Sequence, residues 1–458
     1  MKNHSEFTRS IISQVSTYIS QSGQAKLPAQ VIAKAKIHIL DTLAAIISGS
    51  KLKPGKVARR YALQQAGIKE AQVAGSHLVT SAVNAALANG IMAHADETDD
   101  SHPESITHLG CAIVPAALAM SEREGADGMS FIRGVVAGYD IGCRIPLALG
   151  VDIMRRMYRS SHSVGGVFGA AAAASSISQL GDDMVRYVLS YTAQQASGVR
   201  HYVRDAEHIE KAFVFGGMPV RNGVAAATMV QSGFTGVTDP FSGRYNFFES
   251  FSPEARPGLL VADLGHRYEI MFTNIKRFSV GSPIQAALDA LLLLLNKRGF
   301  TSNDVHSIVA RVPGAAVVDN RNMPDINLQY ILAVALLDGK LTFEQAHSYE
   351  RMSDPAVIEL KKRITLVDDA ELAAAVVPRQ GIVEVITEDG SQFKEHVVSV
   401  RGTVENPMTV EEVAGKCREL MAPVLGEDGS QELISKVLNL EQVGNMRELR
   451  PFLSVFSK

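Results

Sequence analysis

Tryptophan is absent from the 458 residues and aromatic side chains make up only 6% of them, so the core has to close on aliphatic and small side chains. Cysteine is nearly as scarce. Cys111, Cys143 and Cys417 lie far apart and form no Cys-x-x-Cys pair, which argues against a disulfide framework, a zinc knuckle or an iron–sulfur cluster and suits a reducing cytoplasm. An excess of one charge is also missing. With 45 basic and 48 acidic residues, scattered along a chain of net charge −3, there is no electrostatic footprint for nucleic acid. No apolar run reaches the roughly 20 residues that span a bilayer. The segment from Met1 to Ile19 alternates polar and apolar residues and lacks the apolar centre of a secretory signal. A soluble, cytoplasmic protein with no membrane partner is expected.

What the chain does contain is ordinary globular material, 46% hydrophobic and 20% charged, long enough for two domains or one large domain with an insertion. One stretch departs from it. Ala93–Gly110, AHADETDDSHPESITHLG, places Asp96, Glu97, Asp99, Asp100 and Glu104 among His94, His102 and His108, between Ala-rich apolar segments. Such a stretch is too polar for a core and reads as a loop at the mouth of one, leading into a buried helix from about Ile106. Solvated surface is one reading. A divalent metal site is a second, but no His-Glu-x-x-His helix or EF-hand spacing accompanies it, so no metal is expected. General acid–base chemistry fits better, because it needs only titratable groups whose surroundings push their pKa values apart.

The flanking chain reads as helix from Phe7 to Ile19, after Pro28 to about Gly49, and from Phe131 to Leu149. In the last of these, Tyr139 and Arg144 are candidates for holding an anion, with a structural ion pair as the alternative for Arg144. His162 stands at the start of a Gly- and Ala-rich helix, where free N–H groups favour an anion or the ring serves as a cap. Arg200, His201, Arg204, His208 and Lys211 cluster before Gly216 and Gly217. That cluster suits carboxylate binding or a solvated helix face. Farther on the composition changes: Ile275–Ser279 looks extended, His306–Pro313 alternates as a strand, and Gly381–Gly402 reads as a hairpin turning at Asp389 and Gly390. From Glu405 the pattern is helical again, so a mixed α/β segment is set between helical parts.

AHADETDDSH, LPAQVIAKAKIHILDTLAAIISGS, FGAAAAA, RNGVAAA, IKRFSVGSPIQAALDAL and LAVALLDG together resemble the MmgE/PrpD family, which includes 2-methylcitrate dehydratases, cis-aconitate decarboxylases and iminodisuccinate epimerases. The resemblance implies a mainly α protein: a large all-helical domain over 1–271 and 404–458, and a smaller inserted α/β lid domain over 272–403. It also implies a homodimer and an active site in the interdomain cleft that uses no cofactor. Carried over position by position, the family's loop aspartate falls on Glu97, with Asp96 beside it, and its loop threonine on Ser101. Its loop histidine falls on His108, its substrate-side lysine on Lys211, its interdomain lysine on Lys276 and its tyrosine on Tyr330. Gly281 stands where decarboxylase members have a histidine, and His162 is displaced by two positions from the family histidine before the Ala-rich helix.

The chemistry implied is proton transfer at a carbon next to a carboxylate of a small di- or tricarboxylic acid. Lys211, Lys276 and Arg144 would clamp carboxylates, with Tyr139, Ser101 and His162 on the substrate side. His108 or a lysine would move the proton, with Asp96 or Glu97 as its partner and Tyr330 as a donor. The expected activity is a hydro-lyase on a 2-methylcitrate-like acid. An epimerase of an iminodisuccinate-like acid is the alternative, and a catalytically silent small-acid-binding protein the second.

Overall fold

Small residues set how closely the helices of this chain approach, and so where the polar loop can lie. In the computed structural model, which describes residues 10–377 and 379–455, helices Gly128–Leu149 and Ser161–Ile177 cross through Gly138, Gly142, Gly165 and Gly169. A Cβ on Gly165 would stand 2.5 Å from the Gly142 carbonyl oxygen, and one on Gly169 2.8 Å from that of Gly138. A second contact of this kind joins helix Ala82–Ala93 to the segment after Lys211. A Cβ on Gly216 would lie 1.9 Å from the Gly90 oxygen, so only glycine lets these two backbones meet.

Around these contacts, one continuous apolar core takes residues from Ile12 to Ile275 and again from Val413 to Leu453. The helical stretch Val410–Leu438, two helices meeting at a kink at Gly426, brings the end of the chain back against Ala29–Gly49. A separate core runs from Val280 to Val400. It belongs to a four-stranded sheet in the order Ile364–Asp368, Val305–Val312, Gly381–Thr387, Gln392–Val397, whose first pair is parallel and whose others are antiparallel. Helices Gln285–Arg298 and Leu328–Asp338 pack on it. The protein is therefore mainly α with a smaller α/β part, as the sequence predicts. No helix among the described residues is long and apolar enough to cross a membrane.

Four local expectations need correction. The helix expected from Ile106 begins at Gly110, because Ile106 has φ 47° and the preceding residues close a short turn in which His102 and Thr107 exchange backbone hydrogen bonds. Ile275–Ser279 forms no strand; the extended pairing is a single bridge between Asn274 and Ser101. The hairpin strands end at Thr387 and resume at Gln392, so its loop is longer than two residues. The polar loop, finally, expected to be too polar for a core, is buried in one. His94, Asp96, Thr98, Asp99 and Asp100 are all fully buried, which is tolerable only because each is hydrogen-bonded.

Candidate functional site

The two ends of the Ala93–Gly110 loop are fixed by carboxylates that face inward. Asp96 accepts from Ser48 Oγ at 2.6 Å and from the Thr98 backbone N–H at 3.0 Å, and burial pushes its carboxyl up to about 6. Asp100 accepts from the Gly110 N–H at 2.9 Å and from the Tyr139 hydroxyl, with His38 Nδ1 at 2.8 Å. These anchors turn Glu97 and Asp99 the other way, into a network with three histidines and two lysines. Glu97 takes φ 55° in doing so.

Asp99 is the hub. Its carboxylate lies 2.8 Å from His94 Nδ1, 3.2 Å from His108 Nδ1 and 3.4 Å from Lys276 Nζ. Burial pushes its pKa up, but His94, His108 and Lys276 more than offset this and hold it well below the usual range. Glu97 takes Lys211 on Oε1 and Lys276 on Oε2, the latter at 3.2 Å. Burial likewise raises it, and Lys211, Lys276, His94 and His208 hold it well below normal. For Lys276 the signs reverse: burial lowers the pKa, while Glu97 and Asp99 raise it above the ordinary value. The ammonium is therefore permanent, and Lys276 is a fixed charge rather than a base.

Phe215 is the apolar floor of this network. Its ring is stacked between His94, with centroids 4.2 Å apart, and His162, at 3.9 Å. It reaches that place from a π-helical turn, Phe213–Gly217, between Ile209–Ala212 and Met218–Gln231; such turns are frequent at functional sites. Burial, then His108, His94 and Lys211, push His162 well below its usual pKa, so the ring is neutral at pH 7. Burial also brings His94 down to about 4.

In front of the network opens a cavity of about 560 Å³, walled by Glu97, Ser101, His108, His162 and Lys211 on the helical side. Gly281, Ser282, Arg321, Ile326 and Arg379 close it from the α/β side. Arg155 and Arg200 also line it, so among the described residues Glu97 is its one carboxylate, set among several cations. Burial and the neighbouring Arg155 lower the pKa of Arg379, a sign of unneutralised positive charge that an anion would relieve.

The structure thus brings together Glu97, His108, Lys276, Lys211, His162 and Ser101, and leaves four other sequence candidates apart. Asp96 is spent on Ser48 and Thr98. Tyr139 is fully buried on Asp100. Arg144 is 2% exposed and pairs with Glu269 at 3.1 Å while donating to the Ala262 and Arg267 carbonyls, the structural alternative named for it. Tyr330 donates to the Gln345 and Ser348 carbonyls inside the α/β part. None of these four lines the cavity.

Sequence reasoning noted Asp99 and His94 in the loop and His208 in the cationic cluster without selecting them. It missed Asp325, Phe215, Arg155, Arg321 and Arg379, which no local pattern marks. His94, Glu97 and His208 are close enough to share an ion, as are His94, Asp99 and Cys111. In the first set Lys211 already occupies the Glu97 oxygen that would face the ion. In the second the Cys111 thiol is pushed well above its usual pKa by burial and the two aspartates, away from the thiolate a metal requires.

A helical core joined to a smaller α/β part, with an acid–histidine–lysine network facing a cationic cavity between them, defines the class. The chain belongs to the MmgE/PrpD family: residues 13–260 match its N-terminal domain and residues 278–442 its C-terminal domain. It is 23% identical to the cis-aconitate decarboxylase-like protein oryM of Aspergillus oryzae, over 97% of both chains. It is 24% identical to the cis-aconitate decarboxylase of Aspergillus terreus, over 97% of this chain and 96% of that one, and 25% identical to that of Homo sapiens, over 97% and 95%.

Proposed function

We propose that this protein is a lyase that removes the proton next to a carboxylate of a small di- or tricarboxylic acid and expels a hydroxyl group, a hydro-lyase on a 2-methylcitrate-like acid. The observation that carries the reading is the Asp99–His108 pair. Asp99 stays ionised and faces His108 Nδ1 at 3.2 Å, which fixes the ring so that Nε2 is the nitrogen free to take a proton. His108 lines the cationic cavity, where the substrate's carboxylates would be held by Lys211 and the arginines.

In the resting site Glu97 is neutralised by both lysines. A substrate carboxylate on Lys211 draws that ammonium away and the Glu97 pKa rises; Glu97 takes up a proton from solvent as the substrate binds and passes it to the departing hydroxyl, which leaves as water, while His108 releases the α proton to solvent. Lys276, behind Glu97 and Asp99, keeps a positive charge close to the enolate that develops. The names of the relatives support a lyase on a small carboxylic acid at the level of the family. Gly281, which leaves one cavity wall without a side chain, supports a product other than that of the decarboxylases.

The test is a panel of hydroxylated di- and tricarboxylates and cis-aconitate, ranked by the rise in melting temperature they cause and then assayed for product. Formation of an unsaturated acid with release of water supports the reading. Carbon dioxide release identifies a decarboxylase instead, and inversion of a stereocentre with neither product identifies an epimerase. Binding without any turnover would leave a small-acid-binding protein.

A further inference from the structure

A second cavity, of about 520 Å³, has His208 in its wall. His208, Asp325 and His347 line it, together with Ala95, Glu207 and Tyr349; Glu97 and Lys211 line the first cavity and not this one. His208 Nε2 is buried, has no hydrogen-bond partner and stands 3.5 Å from Glu97 Oε1. Its Nδ1 lies 3.1 Å from Asp325 Oδ2. His208 belongs to the helical core and Asp325, 3% exposed, to the α/β part, so this ring is aligned only where the two parts meet.

Both ends of the pair are strained in the same sense. His208 has φ 60° and Glu97 φ 55°, a conformation that non-glycine residues keep only where their surroundings fix it. The other groups facing Glu97 are Lys211, Lys276, His94 and Asp325, and the other groups facing Asp325 are His347, at 3.9 Å, Glu97 and Tyr349.

We infer that His208 is a positioning residue for Glu97, aligned by Asp325 across the seam between the two parts, and that the second cavity is its access to water. The inference rests on the acid role given to Glu97 above. When Lys211 turns to the substrate, His208 Nε2 is the nearest remaining cationic or donor group to Oε1 and holds the carboxyl in register. Asp325 keeps the ring from rotating away.

The experiment compares His208→Ala, Asp325→Asn and the double variant with the unmodified protein, on the acid that the unmodified protein turns over. A hydrogen bond to a charged group is lost in each single variant, so kcat is expected to fall about tenfold to a hundredfold, with substrate affinity held within about threefold. The double variant should be no slower than the slower single one, because both act through one ring. His208 is one of the groups that hold Glu97 below its usual range, so with His208 gone Glu97 keeps its proton to higher pH and the alkaline limb of the pH–rate profile, where a general acid is lost, moves to higher pH. Imidazole, admitted through the second cavity, should restore turnover of His208→Ala without competing with substrate.

Wild-type kcat in either single variant, additive losses in the double variant, an unmoved alkaline limb, or imidazole that fails to restore a His208→Ala protein of native melting temperature would each overturn the inference. An unmodified protein that turns over none of the acids would overturn the functional reading and this role with it, which separates the two failures.

Discussion

Asp99→Asn is the change from which the network has most to lose. The carboxylate serves His94, His108 and Lys276 at once, at 2.8, 3.2 and 3.4 Å, and it is fully buried. Two separate costs follow. An amide offers His108 Nδ1 only a neutral acceptor and can turn its NH2 toward the ring, reversing the tautomer and directing the free lone pair away from the cavity. Loss of a hydrogen bond to a charged group is worth about 2 kcal/mol, or about thirtyfold in turnover, and the wrong tautomer adds to it.

The second cost is stability, since Lys276 keeps Glu97 but loses its other carboxylate. Removing one partner of a buried ion pair costs about 3–5 kcal/mol. For 458 residues the unfolding entropy is about 1 kcal/mol per degree, so the melting temperature should fall by about 4 °C. Steady-state kinetics over pH and a thermal melt read the two effects separately. Turnover within about threefold of the unmodified protein, with the melt lowered, would refute the claim that Asp99 orients His108.

Three further outcomes are expected. Burial pushes the Asp140 carboxyl up to about 7 despite the Tyr18 hydroxyl it accepts from. Since this raised folded-state pKa lies above the unfolded value, its contribution, about 4 kcal/mol in full, is complete below about pH 4 and is lost as pH rises through 7. Between pH 6 and 8.5 Asp140→Asn should therefore lose about 1.5 °C less in melting temperature than the unmodified protein, and parallel curves would contradict this. Arg144→Met should destabilise by about 3 kcal/mol, because buried Glu269 loses one of its two guanidinium partners and keeps Arg267 at 3.2 Å, while leaving substrate affinity unchanged; a weakened affinity in titration calorimetry would return Arg144 to the substrate. Gly281→Ala places a Cβ 3.3 Å from the Ile326 methyl, with no positive φ to oppose it. Its melting temperature should change little, and a shift in preference among the acids would show up as altered relative kcat/KM.

The family motif made much of this legible. The ungapped match over Ala93–His102 pointed to Glu97, and the matches at Lys211 and Lys276 brought in the two cations that meet on it. Hydropathy misread the same loop as an outer feature, because it scores eight acids and histidines as polar without knowing that Ser48, His38 and Tyr139 wait to pair with them. Local pattern also could not choose between Asp96 and Glu97. The choice depends on Ser48 Oγ, 48 residues away, holding Asp96 inward. Tyr139, Arg144 and Tyr330 were attractive as polar interruptions or motif matches, but each is bonded to partners away from the cavity. Asp325, Arg321 and Arg379 come from the α/β part, and only the meeting of the two parts gives them a role.

The central claim, that His108 moves a proton at the carbon next to a substrate carboxylate, is tested most directly by solvent exchange. The unmodified protein and His108→Gln are incubated in D2O with the acid that the protein turns over, and the recovered acid and product are examined by NMR. The account predicts deuterium at the α position of recovered substrate with the unmodified protein. It also predicts a loss of that exchange in His108→Gln at undiminished substrate binding. Exchange that continues unchanged in His108→Gln would contradict the account.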